Sequence, residues 1–141
     1  MATHNLNTFE GDPKNLSAAA LAFVGDGVFE LLVREKLLSK GSMPAGKLHS
    51  LAVEKVKASA QAKAYPALEN ILDREELDIL RRGRNVKAAM VPKSCTHAEY
   101  RMATAIEALV GYLYLCGRID RLQEVFAFIL SEQRRLESPQ D

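Results

Sequence analysis

Cysteine is nearly absent from this 141-residue chain: there are two, Cys95 and Cys116. They form no Cys-x-x-Cys pair, and Cys116 lies in an apolar run. A disulfide framework is therefore not expected, and a reducing, cytoplasmic setting is. Structural zinc would need more ligands at closer spacing than Cys95, Cys116, His49 and His97 offer. No apolar run approaches the roughly 20 residues of a membrane span. The N-terminus has no basic stretch followed by an apolar one, so no secretory signal is expected. Net charge is scarce too, at +1, less than expected of a protein that wraps nucleic acid by bulk charge alone. Strand-like alternation, internal repeats and low-complexity tracts are also missing.

What is present is hydrophobic residue, 48% of the chain, enough for the core of one domain. Gly11, Asp12 and Pro13 mark the end of an N-terminal arm, residues 1–14. Residues 15–135 read as one all-α domain, and 136–141 as a flexible tail. The pattern predicts a long helix over about 15–39, interrupted by Gly25 and Gly27. Each glycine costs a helix roughly 1 kcal/mol relative to alanine, so something should require the missing side chains. A second helix is expected from Ser42 to about Ala64, broken at Pro66, with a short helical piece over 67–72. Asp73 should cap a helix over 74–84. A loop follows over 85–94, and Thr96-His97-Ala98-Glu99 is a capping box that opens a helix running to Cys116, where Gly117 stops it. The last helix should span Asp120 to about Arg135.

Two carboxylates stand out. On a helix, Asp26 shares a face with Ala19, Ala22, Glu30, Val33 and Leu37, which is apolar apart from Glu30. Glu107 shares one with Tyr100, Ala103, Thr104, Gly111 and Tyr114. A carboxylate on an apolar face loses hydration and needs a partner. Small residues flank both acids: Ala19, Ala22 and Gly25 on one helix, Ala103 and Gly111 on the other. Two such helices can approach closely. One reading is that Asp26 and Glu107 meet across a helix pair and share a divalent cation such as Mg²⁺. The other is that each is paired with its own Arg or Lys. Glu30 has such a candidate one turn away in Arg34.

At this point a resemblance becomes legible. Phe23-Val24-Gly25-Asp26-Gly27-Val28-Phe29-Glu30-Leu31 resembles the signature of ribonuclease III, and Ile106-Glu107-Ala108-Leu109-Val110-Gly111 resembles its second acidic motif. Arg82-Gly83-Arg84-Asn85-Val86-Lys87 and the run from Tyr100-Arg101 through Ala103-Thr104 to Glu107 are similar to segments of the smaller Mini-ribonuclease III subfamily. Together they cover about residues 15–130. The chain departs from standard ribonuclease III at three acidic positions, occupied here by Ala19, Ala22 and Thr104. The subfamily is similarly reduced, and no double-stranded-RNA-binding domain is expected after the helices.

The resemblance implies a ribonuclease III endonuclease-domain-like helical bundle. It implies a metal-dependent endoribonuclease that hydrolyses double-stranded RNA, leaving 5′-phosphate and 3′-hydroxyl ends. Asp26 and Glu107 are the expected catalytic residues and metal ligands, with Mg²⁺ as cofactor and Mn²⁺ as a substitute. Thr104 is a candidate for hydrogen-bonding a water on that ion, and Glu30 for a supporting place beside the site. Arg81, Arg82, Arg84 and Lys87 put four cations within seven residues, joined by Asn85, Lys93 and Arg101 as an expected RNA-binding patch. The bland alternative is that Arg81 and Arg82 merely favour a helix C-terminus. Gly83 would let the backbone approach RNA. More apolar helix surface than one small domain should bury points to a homodimer, which also matches the family. The implied substrate is precursor ribosomal RNA of the large subunit, with a ribosomal protein or the assembling subunit as a further partner. The contrasting reading is a catalytically silent helical module that binds RNA or protein.

Overall fold

The computed structural model describes residues 6–88 and 90–137. Residues 1–5 of the expected arm and 138–141 of the expected tail lie outside it. A 3-10 turn, Pro13–Asn15, precedes seven helices: α1 (Ala18–Leu38), α2 (Ala45–Val56), α3 (Ala58–Ala62), α4 (Tyr65–Leu68), α5 (Arg74–Arg84), α6 (His97–Leu115) and α7 (Ile119–Glu137). No strand occurs among the described residues. The fold is the expected all-α bundle.

Local signals explain three of the seven helix starts. Ser17 accepts the Ala20 N–H and caps α1. Asp73 with Glu76, and Thr96 with Glu99, form reciprocal capping boxes at α5 and α6. In the second predicted helix the structure differs. The chain breaks at Lys57, which is extended at φ −63° and ψ 153°. Pro66 breaks nothing and sits in the first turn of α4, where its missing N–H is not needed. α7 continues to Glu137, two residues beyond the expected end.

α6 is the spine of the molecule. Ala105, Ile106, Ala108, Leu109, Val110 and Leu113 are all fully buried, because α1, α3, α5 and α7 all pack against this helix. A helix buried on most sides must be apolar nearly all round, and from Ala103 onward α6 is, with Thr104 and Glu107 the exceptions. Phe29 of α1 and Phe126 of α7 meet edge to face at 5.5 Å, tying the outer helices over the core.

One charged cluster is structural. Glu76 is 0% exposed. Its carboxylate takes two hydrogen bonds from Arg121, each 2.8 Å, and one from Arg118 at 3.2 Å. The Asp73 N–H supplies a fourth at 3.1 Å. Burial pushes this carboxyl up, but the Arg121 hydrogen bonds, the Asp73 N–H and the two guanidinium charges outweigh it and hold the group below the usual range. As a sequence feature Glu76 looks like an ordinary first-turn acid. Only the arrival of α7 makes it a buried tie.

Candidate metal centre and nucleic-acid interface

α1 and α6 cross at Gly25 and Gly111. A Cβ on Gly25 would overlap the Glu107 carbonyl, and one on Gly111 would overlap the Leu21 carbonyl and lie 2.9 Å from the Gly25 nitrogen. The two backbones therefore touch, and glycine is required on both sides. Asp26 follows one of these glycines directly, and Glu107 stands one turn before the other. The crossing brings the two carboxyl groups close enough for the charge of Asp26 to act on Glu107.

Glu107 is partly buried. Burial, then the charge of Asp26, push its carboxyl up to about 7, against the lowering effect of a hydrogen bond from Gln61. Asp26 differs from the expectation of a buried face. Ala22, Val33 and Leu37 of that face are buried, while Ala19 and Asp26 are exposed, because the stripe is wider than the groove that α6 fills. Asp26 is thus the solvent-side member of the pair. Among the described residues, neither Asp26 nor Glu107 forms an ion pair with an arginine or lysine.

The donor set fits a hard divalent cation. Two carboxylates offer oxygen ligands, and Mg²⁺ readily takes one or two carboxylates and completes its shell with water or phosphate oxygens. No group of three or more His, Cys, Asp or Glu suited to a metal occurs among the described residues. The pair alone is therefore the candidate.

Other expected residues are placed as follows. Glu30 is claimed by Arg34, with 2.6 Å from Nη2 and 3.1 Å from Nε, the pairing expected for it. The Thr104 hydroxyl donates to the Tyr100 carbonyl at 2.9 Å, inside its own helix, which leaves its oxygen able to accept only. Gln61 was not picked out by sequence. It is 1% exposed, and its Nε2 donates to the Val56 carbonyl at 2.8 Å and to Glu107 Oε2 at 3.2 Å. One signal for it exists: a lone amide in the alanine-rich run Ala58–Ala62.

Arg81, Arg84, Asn85, Lys87, Lys93 and Arg101 are exposed. None of the five cations in that group forms an ion pair among the described residues, whereas Arg34, Arg118, Arg121 and Arg135 all do. Arg84 lies over the Tyr65 ring at 5.3 Å. Arg82 is partly buried and donates to the Leu16 carbonyl at 3.3 Å. Gly83 has a role different from the one expected. A Cβ there would lie 2.7 Å from the Ala105 Cα and 2.8 Å from the Ala108 Cβ. It is a packing glycine that seats the basic end of α5 on α6, the helix that carries Glu107.

An all-helical domain with two carboxylates meeting at a glycine-on-glycine helix crossing, beside unpaired cations, is the arrangement of a ribonuclease III nuclease domain. The Ribonuclease III domain model matches residues 19–118. Mini-ribonuclease 3 of Symbiobacterium thermophilum is 46% identical over 114 residues, covering 81% of this chain and 88% of that one. Mini-ribonuclease 3 of a Thermoanaerobacter species is 44% identical over 111 residues, covering 79% and 78%. A crystal structure of a Fusobacterium nucleatum protein superposes with a TM-score of 0.76 at 33% identity, covering 86% of this chain and 98% of that one. The chain belongs to the ribonuclease III family of endoribonucleases, in its Mini-ribonuclease 3 branch.

Proposed function

We propose that the chain is a divalent-metal-dependent endonuclease of double-stranded RNA, with Asp26 and Glu107 as its metal ligands. The observation that carries this reading is the meeting of the two carboxylates at the α1–α6 crossing with no cationic side chain to neutralise them. Two acids that raise each other's energy hold a standing demand for positive charge. Mg²⁺ or Mn²⁺ meets it and, when bound, supplies Lewis-acid stabilisation of charge on the scissile phosphate and a more acidic water.

The chain's own residues do the rest. Asp26, on the solvent side, reaches the substrate and orients the attacking water. Glu107 fixes the site from the core side. Arg81, Arg84, Lys87, Lys93 and Arg101, with Asn85 and Arg82, bind the phosphates of an A-form duplex, which is read mainly by shape and backbone. Hydrolysis leaves a 5′-phosphate and a 3′-hydroxyl.

Two copies act together, each site cutting one strand. On α1, Phe23 is 82% exposed, Leu31 47% and Leu38 59%. They share one side of the helix, next to Asp26, and a two-fold pairing along α1 would cover them in both copies. The substrate is a duplex in the precursor of large-subunit (23S) ribosomal RNA, met in the cytoplasm on the assembling subunit or with a ribosomal protein. No helix among the described residues is long and apolar enough to cross a membrane.

The test is single-turnover cleavage of a long RNA duplex in Mg²⁺. Wild type cuts, and Asp26→Asn and Glu107→Gln each lose at least about 100-fold in rate. Wild-type rates in Asp26→Asn would remove the site assignment. Duplex binding with no cutting in either Mg²⁺ or Mn²⁺ would leave a binding module instead.

A further inference from the structure

Among the described residues, Gln61 is one of three polar or charged side chains in the core, and of these three it alone touches the carboxylate pair. Its position follows from the break after α2. Because Lys57 is extended, Val56 is the last residue of α2 and its carbonyl finds no acceptor role in α3. Ala60 and Gln61 both direct their backbone N–H groups to the Lys57 carbonyl, at 3.0 and 3.1 Å. The Gln61 side chain then folds back, and its Nε2 gives one proton to Val56 O and one to Glu107 Oε2. The orientation of the amide is fixed by chemistry, since a carbonyl can only accept. Nitrogen must face Val56, so nitrogen also faces Glu107.

The other end of the same amide is unpaired: Gln61 Oε1 is buried and makes no hydrogen bond. A buried acceptor without a partner is a standing cost that an apolar side chain of similar volume would avoid. Stability alone therefore does not account for glutamine here. Its particular property is to grip a carboxylate without neutralising it. Lysine or arginine at this place would pair with Glu107 and compete with a bound cation. A neutral amide holds Oε2 while leaving the negative charge available.

Resting on the metal-site reading above, we propose that Gln61 is a positioning residue: it holds Glu107 in the orientation that binds the divalent cation. Hydrogen bonds of this kind to a metal-binding side chain are commonly worth 10–100-fold in metal affinity.

The molecule contains its own control. Gln133 of α7 is likewise 0% exposed. Its Nε2 donates at 3.0 Å to Lys55 O, one residue from Val56, and its Oε1 is also unpaired. It serves the same end of α2 but touches neither acid.

The experiment is a Mn²⁺ titration of the RNA-free protein, read by electron paramagnetic resonance. Alongside it run the Mg²⁺ concentration for half-maximal cleavage of a long duplex and the melting temperature. Gln61→Met fills the volume without a donor, and Gln61→Asn keeps the amide but shortens its reach. Both are expected to bind Mn²⁺ about 10–100-fold more weakly and to need correspondingly more Mg²⁺, while melting as cooperatively as wild type. Gln133→Met is expected to keep wild-type Mn²⁺ affinity. Wild-type affinity in both Gln61 variants, equal weakening in Gln133→Met, or unfolding of both Gln61 variants would overturn the proposal. If wild type binds Mn²⁺ and Glu107→Gln abolishes it, wild-type affinity in both Gln61 variants sinks only this inference. If wild type shows no binding that depends on Glu107, the metal-site reading falls with it.

Discussion

Gly25 of α1 and Gly111 of α6 touch backbone to backbone, and this contact sets the distance at which Asp26 meets Glu107. The candidate pair is thus built on an absence of side chains. The helix-weakening glycine inside α1 is what lets the two helices approach.

Substituting either glycine tests the contact. Gly25→Ala would drive a methyl group into the Glu107 carbonyl, so the helices must part. Overpacking of this kind costs about 1–3 kcal/mol, measurable as a lower urea midpoint. Gly111→Ala should behave alike, whereas Gly27→Ala, which meets nothing within 4 Å, should be neutral or stabilising.

Stability of the metal-free protein should fall as pH rises from about 4.5 to 7. In that window the folded state keeps a proton on Glu107 that the unfolded chain releases, because burial and Asp26 raise this group from 4.5 to about 7. The upper bound is on the order of 3 kcal/mol. Thermal melts across pH should show the slope, and Glu107→Gln should flatten it. Saturating Mg²⁺ should restore stability at the high-pH end by binding the ionised form.

The Glu76–Arg121 tie gives the opposite sign. Its carboxyl is held below the usual range, so its stabilisation is present at neutral pH and lost as pH falls below about 4.5. Arg121→Ala leaves a fully buried carboxylate with only Arg118 and one N–H, and should cost about 3–5 kcal/mol. Chemical denaturation at pH 7 measures it. Glu54→Ala, whose pair with Lys57 is exposed on both sides, should change stability by under about 1 kcal/mol.

The basic patch should divide by partner. Arg81→Ala and Lys87→Ala remove exposed, unpaired charges and should each lower the slope of log affinity for duplex RNA against log salt by up to about 1, with melting unchanged. Arg82→Ala should also cost about 1 kcal/mol of stability through its lost bond to Leu16. Filter binding over a salt series, paired with melts, separates the two effects.

Phe23→Glu should shift the protein to monomer in sedimentation, since it puts a charge on the most exposed part of the α1 stripe. Folding should be unaffected, because Phe23 contributes little to the core. Loss of two-strand cutting with the monomer would tie activity to pairing, and a persistent dimer would move the interface elsewhere.

The sequence by itself determined the helices whose signals are local. Asp73 with Glu76 and Thr96 with Glu99 stop and start the chain through hydrogen bonds made within four residues. The pairing of small residues with an acid on both α1 and α6 also announced a close crossing, because a missing Cβ can be read without coordinates. What only the tertiary structure decided involves partners far away along the chain. Nothing near Lys57 breaks a helix, yet the chain turns there and delivers Gln61 to Glu107, 46 residues on. Glu76 is a surface acid by its neighbours and a core acid by Arg121, 45 residues away. Asp26 reads as buried by helical periodicity and is exposed because α6 covers only part of its face. Capping and periodicity act within a turn or two. Which face is covered, and by what, is fixed only when the helices pack.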